Sequence, residues 1–310
     1  MSFPNEINSR KNYFTGAGVA IVTPFTEEGN IDYASLERIV QNLLKARIDN
    51  IVLFGTTGES PTIAEEERLF TLRFMQGLLS STATKLIVGF GGNNTAVLCD
   101  TLKKADLEKV DGILVSTPFY NKPTQEGLYR HYAAIAEVSP RPIVVYNIPG
   151  RTACDILPDT LLRLRTDFPE KIVATKDSTG RVERIKELVS IMDCDFTILS
   201  GDDCHTLKYM REGALGVISV LANAFPALVK GIVERACCQE SKTELDEMDL
   251  LLSDMYKALF EDGNPAGIKS LLKHMGLIHS SSLRLPLVEV SKKVQEHIMQ
   301  AYDQLVAAGL

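Results

Sequence analysis

Lys176 closes the apolar run Ile172-Val173-Ala174-Thr175, a poor place to keep an ammonium ion. An unpartnered ammonium out of water costs several kcal/mol, and the cost is relieved when the amine gives up its proton. A neutral amine is a nucleophile that condenses with a ketone to an imine. The competing role is a salt bridge to an adjoining acid such as Asp177. Imine chemistry also needs a proton shuttle while carbinolamine becomes imine and then enamine. Tyr146 offers a phenol at the expected height on the neighbouring strand, and Thr56 and Tyr120 can extend it into a hydroxyl relay. Alone, a strand-end tyrosine is a packed aromatic, so this role depends on the lysine beside it.

Other polar residues fall at comparable places. Gly55-Thr56-Thr57-Gly58-Glu59 reads as a loop whose backbone N–H groups, with Thr57, could hold a small carboxylate; the plain alternative is a tight turn. No GK[ST] follows it, so it is not a phosphate loop, and Gly89-Phe90-Gly91-Gly92 lacks dinucleotide spacing. Arg151, after Pro149-Gly150, could grip the carboxylate of a second acidic substrate or make a rim ion pair. Asp202-Asp203 could suggest a metal, but the five histidines are not spaced as ligands. Helix capping by one aspartate is the better expectation, with no metal in the chemistry.

The elements that must position these groups are short β-branched runs with helical stretches between them. The runs are residues 19–23, 51–54, 86–90, 113–117, 143–147, 172–176, 196–200 and 217–220. Apolar strands alternating with helices indicate a parallel sheet covered on its outer face, and eight units favour closure into a (β/α)8 TIM barrel of the α/β class. One helix opens near Asp32 with Leu36, Ile39, Val40 and Leu43 on one face, and the next spans 64–79. Beyond residue 226 the pattern is helical: 227–238, 244–260, 265–275 and 286–308. We therefore expect a catalytic barrel over 1–238 and a helical region over 239–310 packed on it. In such folds chemistry sits at the carboxyl ends of the strands, where Thr56, Tyr120, Tyr146, Arg151 and Lys176 all fall.

Composition narrows the partners. With 33 basic and 40 acidic residues the net charge is −7, which argues against nucleic acid or an anionic membrane as a partner. The opening MSFPNEINSRKNYF has no apolar leader, and no later run is long enough to span a bilayer. Six cysteines without CxxC spacing read as reduced cytosolic thiols acting as small hydrophobes, vicinal Cys237-Cys238 included, although that pair could be redox-active.

From Gly16 to Leu287 the chain resembles the dihydrodipicolinate synthase (4-hydroxy-tetrahydrodipicolinate synthase) family, within the larger N-acetylneuraminate lyase superfamily. The motifs include Gly55-Thr56-Thr57-Gly58-Glu59-Ser60, Thr117-Pro118-Phe119-Tyr120-Asn121-Lys122-Pro123 and Tyr146-Asn147-Ile148-Pro149-Gly150-Arg151-Thr152. Lys176-Asp177-Ser178-Thr179-Gly180, Ser200-Gly201-Asp202-Asp203 and Gly216-Val217-Ile218-Ser219-Val220 complete the set. The resemblance implies a class I aldolase-type lyase without a cofactor, in which pyruvate forms a covalent imine with Lys176. The enamine then attacks aspartate 4-semialdehyde on the way to lysine and diaminopimelate. It assigns proton transfer to Tyr146 with Thr56 and Tyr120, the last supplied across a dimer interface, typically within a homotetramer built as a dimer of dimers. Thr57 and the backbone at Ile218 would contact pyruvate, and Arg151 the semialdehyde carboxylate. Arg151-Thr152 also separates this family from the sialic-acid lyase branch.

Departures concern regulation. Members inhibited by lysine carry a histidine pair, a glutamate and a tyrosine around the allosteric pocket, where this chain has Glu65, Arg68, Val97 and Phe119. Ser60 and Asn93 match, and Pro61 stands where a small residue is common. Weak or absent inhibition by lysine is expected. Two other functions fit the residues less well: a pyruvate aldolase acting on a sugar-derived aldehyde, and a non-catalytic metabolite sensor, which would not need Lys176, Tyr146 and Thr56 together.

Overall fold

The structure, a computed structural model, describes residues 13–238 and 242–310. Strands β1 (Gly16–Ala20), β2 (Asn50–Leu53), β3 (Lys85–Phe90), β4 (Gly112–Ser116), β5 (Ile143–Asn147), β6 (Ile172–Asp177), β7 (Thr197–Ser200) and β8 (Gly216–Ser219) pair in parallel, each with the next. The pairing of β1 with β8 closes the barrel. Every expected run contributes a strand. The largest shift is in β1, which begins at Gly16 rather than Val19. Glycines are not β-branched, so apolar patterning passes over them, yet a β-carbon on Gly18 would stand 3.0 Å from the Val217 carbonyl of β8.

Helices α1 (Tyr33–Lys45), α2 (Glu65–Leu79), α3 (Thr95–Lys104), α4 (Gln125–Val138), α5 (Pro149–Thr152), α6 (Pro158–Asp167), α7 (Val182–Ile191), α8 (Thr206–Arg211) and α9 (Pro226–Cys237) connect and flank the strands. Asp32 caps α1 by accepting the Ser35 N–H at 3.0 Å, and the buried face carries Leu36, Ile39, Val40 and Leu43. After α9 come α10 (Lys242–Phe260), α11 (Ala266–His274) and α12 (Lys292–Ala307). Their apolar faces, including Leu252, Leu271 and Ile298, join the same core cluster as the outer faces of the strands. The expected boundary between residues 238 and 239 meets positions 239–241, outside the described residues, as are residues 1–12 at the start of the chain.

One helix expectation is corrected. The last helix does not start at Pro286 but at Lys292, where the Ser291 hydroxyl accepts the Val294 N–H at 3.4 Å. Pro286 supplies no N–H, and the cap that a helix start needs lies five residues on.

Within the barrel the side chains alternate. Phe14, Ala20, Val52, Ile87, Leu114, Val144, Leu199 and Ile218 fill the interior. Strand β6 breaks the alternation once. Ile143 pairs with Ile172, but Val144 pairs with Ala174, so Val173 is an extra residue. Ile172 belongs to the outer core, while Val173 and Ala174 both belong to the inner one. The bulge therefore resets the strand: Thr175 turns out, Lys176 turns in and Asp177 turns out. With strict alternation from Ile172, Lys176 would face the helices.

Between α3 and α4, His131 is buried, with Nδ1 2.8 Å from Thr95 Oγ1 and Nε2 unpaired. Burial pushes the imidazole down from 6.5 to about 4. A depressed basic group favours folding above its unfolded value and loses that contribution as pH falls from 6.5 towards 4. The window is worth about 3 kcal/mol at the outside. His131→Asn, which does not titrate, is expected to lose correspondingly less stability than the parent between pH 7 and pH 4 in urea unfolding.

Candidate active site

Register places the key groups. Ser116 on β4 pairs with Tyr146 on β5, and Tyr146 pairs with Lys176 on β6. All three sit one layer above the packed interior, at the carboxyl ends of their strands. Lys176 is 5% exposed, and its Nζ lies 4.3 Å from the centre of the Tyr146 ring. Among the described residues neither the amine nor the phenol has a hydrogen-bond or ion-pair partner.

The salt bridge to Asp177 is not made. Asp177 faces outward, where its carboxylate accepts from Arg184 Nε of α7 at 2.8 Å and from the Thr179 hydroxyl at 2.6 Å. Tyr209 Oη donates to it at 3.3 Å. The acid beside the lysine in sequence is thus spent on the opposite face of the strand. The lysine stem instead rests on backbone. A β-carbon on Gly201 would stand 2.7 Å from Lys176 Cε and 2.1 Å from Ser178 Oγ, so only glycine leaves the stem room at that point.

Thr56, Tyr146 and Arg151 line one cavity of about 750 Å³, which opens at the barrel mouth and runs on past Ser60, Arg68 and Asn93. Thr57 is buried, its Oγ1 accepting from Asn264 Nδ2 at 2.9 Å. Asn264 precedes α11, and its buried Oδ1 has no partner. Its backbone carbonyl accepts from Arg151 at 3.4 Å. No carboxylate pairs with Arg151 among the described residues, so the rim ion pair is absent. Ile218 is buried in the inner cluster. Tyr120 is not brought to this site by its own chain: it is 88% exposed, in left-handed backbone with φ of 69°.

Neither Asp202 nor Asp203 caps the helical turn that follows it; the Asp203 carboxylate instead accepts the Val220 and Leu221 N–H groups at 2.9 and 3.0 Å, where the chain leaves β8. Asp202, Cys204 and His205 form the one grouping among the described residues that could hold a metal. Sequence spacing of histidines alone missed it. These groups already pair with one another, Asp202 with His205 at 3.0 Å and with Cys204 at 3.2 Å. All six cysteines are free. Cys154 is buried and Cys99 partly so, but Cys194, Cys204, Cys237 and Cys238 are exposed, which corrects the expectation that they act as small hydrophobes.

Sequence patterning passed over three residues that support the site: Asn264, Glu59 and Lys269. Glu59 and Lys269 form an ion pair of 2.5 Å with both side chains fully buried. Burial pulls the ammonium down to about 8, against the opposing pull of Glu59. The available signal was a lysine inside Ala266-Gly267-Ile268-Lys269-Ser270-Leu271-Leu272, where every residue is buried.

An eight-stranded parallel barrel that holds an unpaired amine against a phenol at its carboxyl rim has the layout of a class I aldolase-type lyase. The chain belongs to the dihydrodipicolinate synthetase family, whose model matches residues 13–305. It is 42% identical over 290 residues to the 4-hydroxy-tetrahydrodipicolinate synthase of Porphyromonas gingivalis, covering 94% of this chain and 97% of that one. The crystal structure of dihydrodipicolinate synthase from Aquifex aeolicus superposes with a TM-score of 0.90 at 37% identity, over 94% of this chain and 98% of that one. The enzyme from Cyanidioschyzon merolae with lysine bound gives 0.91 at 32% identity, over 97% and 100%.

Gly201→Ala displaces the lysine stem by a few tenths of an ångström or more. Borohydride trapping of the pyruvate imine is expected to slow about tenfold or more, with the cooperative unfolding transition kept.

Proposed function

We propose that this chain condenses pyruvate with L-aspartate 4-semialdehyde to 4-hydroxy-tetrahydrodipicolinate, through an imine on Lys176. The observation that carries this reading is the buried amine of Lys176, unpaired with Asp177 and 4.3 Å from the Tyr146 ring. Nζ attacks the ketone carbon of pyruvate, and the carbinolamine loses water to give the imine. Loss of a methyl proton forms the enamine, whose terminal carbon bonds to the aldehyde carbon of the second substrate. The amino group of that substrate then displaces Nζ at the former ketone carbon, closing the ring and freeing the lysine. The imine is its own electron sink, so no cofactor is required.

Tyr146 moves the protons of these steps, with Thr56 at the cavity wall as its neighbour in the relay. Thr57 and the backbone at Ile218 hold the pyruvate carboxylate; Asn264 keeps Thr57 oriented, since its Nδ2 donates to Oγ1 and leaves the threonine hydrogen for the substrate. Arg151, free of any protein carboxylate, receives the carboxylate of the semialdehyde. Tyr120 reaches the relay of a second copy, which its exposed, outward placement suits, so the working unit is at least a dimer within a homotetramer. The enzyme works in the cytoplasm on small metabolites, with neither nucleic acid nor membrane as partner; no helix among the described residues is long and apolar enough to cross a bilayer.

Lysine inhibits this enzyme weakly or not at all. Arg68 fills the far arm of the cavity, with its guanidinium 4.3 Å over Phe54 and donating to Ser60 Oγ at 2.7 Å. Asn93 is committed as well: its Oδ1 accepts the Phe119 N–H at 2.9 Å and its Nδ2 donates to the Phe119 carbonyl at 2.8 Å. A second cation placed beside Arg68 would be repelled.

Borohydride reduction with pyruvate, followed by peptide mass mapping, is expected to label Lys176; a label on another lysine overturns the assignment. In the same preparation Arg151→Ala is expected to lose about a hundredfold in kcat/KM for the semialdehyde while imine trapping with pyruvate stays nearly normal. Activity is expected to survive millimolar lysine, and inhibition at sub-millimolar lysine would refute the regulatory reading.

A further inference from the structure

The loop that presents Thr56 and Thr57 is strained at both ends. Phe54 and Glu59 are both left-handed, with φ of 57° and 54°, although neither is glycine. Such residues persist only where their surroundings over-determine them. At Phe54 the reason is close packing: a β-carbon on Gly89 would lie 2.2 Å from the Phe54 carbonyl oxygen. At Glu59 the reason lies far along the chain. Lys269 Nζ donates to Glu59 Oε1 at 2.5 Å, and the Arg284 N–H donates to Oε2 at 3.1 Å. Lys269 also donates to the Ser282 carbonyl at 2.9 Å and lies 4.2 Å over the Phe25 ring. The Glu59 backbone in turn closes the turn, its N–H donating to the Thr56 carbonyl at 3.1 Å.

We propose that Glu59 and Lys269 are a positioning pair for the reaction: the buried ion pair between the β2 loop and α11 sets where Thr56 and Thr57 stand relative to the imine. This rests on the reading that Lys176 forms an imine with pyruvate. A buried ion pair is poor evidence for a purely stabilising role, because well-packed uncharged residues of similar volume often serve stability as well or better. Removal of one partner would leave an uncompensated buried charge, so both are replaced together.

The test compares imine trapping by borohydride with pyruvate and with acetone, a ketone lacking the carboxylate that Thr57 would hold. In Glu59→Gln/Lys269→Met the ratio of the two trapping rates is expected to fall about tenfold from the parent value, because only pyruvate reads the loop. Damage to the fold at large would slow both ketones together. A folded double variant whose ratio stays within about twofold of the parent overturns the proposal. Should the double variant not fold, the same ratio is read on Glu59→Asp, which keeps the charge but shortens its reach. There a fall of about threefold is expected, and an unchanged ratio overturns the proposal. If the parent itself forms no imine with pyruvate, the functional reading fails instead, an outcome distinct from either of these.

Discussion

One extra residue in one strand decides which way the Lys176 amine faces. Strict alternation in β6 would send Lys176 towards the surrounding helices and Thr175 into the barrel. Because Val173 and Ala174 both point inward, the strand below the bulge stays in phase with the interior while the strand above it is reversed. Lys176 thereby joins Tyr146, and Asp177 is carried to Arg184 on the outer face. The amine is then surrounded by aliphatic layers, a phenyl ring and the bare backbone of Gly201. Ordinary alternation puts Lys176 and Asp177 on opposite faces; the register irregularity decides that the base, and not the acid, is the one turned into the barrel.

The helices after the barrel contribute to the site as well as to the core. Asn264 just before α11 and Lys269 within it reach the Thr56-Thr57 loop, at Thr57 and Glu59. Arg284, farther along, donates to Glu67 of α2 at 2.6 Å and to the Gly29 carbonyl at 2.8 Å. The barrel supplies the buried amine of Lys176 and the phenol of Tyr146, while the appended region contacts the loop through Thr57 and Glu59. The contacts that hold this loop are therefore drawn from both parts of the chain.

Much of this was legible from residue order. Strand runs separated by helical stretches indicated the closed barrel, since β-branched apolar segments have few other uses at that spacing. The rim placement of Thr56, Tyr146, Arg151 and Lys176 followed from where each run stops. The bulge was not legible, because Val173 and Ala174 are equally apolar and periodicity cannot tell which of two such residues is extra. The start of α12 was misplaced because Pro286 looked like a first-turn proline, whereas the hydroxyl of Ser291 does the capping. Glu59 and Lys269 were invisible for a different reason. They are 210 residues apart, and a charge inside an apolar helix announces a partner without saying where it is.

The barrel is closed at the end away from the mouth. Phe14 stands in its floor, so tightly that a β-carbon on Gly112 would come within 2.3 Å of the ring. Traffic through the site is therefore one-way in and the same way out. If the first substrate bonds at Lys176, as proposed, the water it releases leaves through the same mouth, past Arg151 at the cavity wall. On the proposed roles, a single mouth has the keto acid enter before the aldehyde, which then lies over the enamine until the ring has closed.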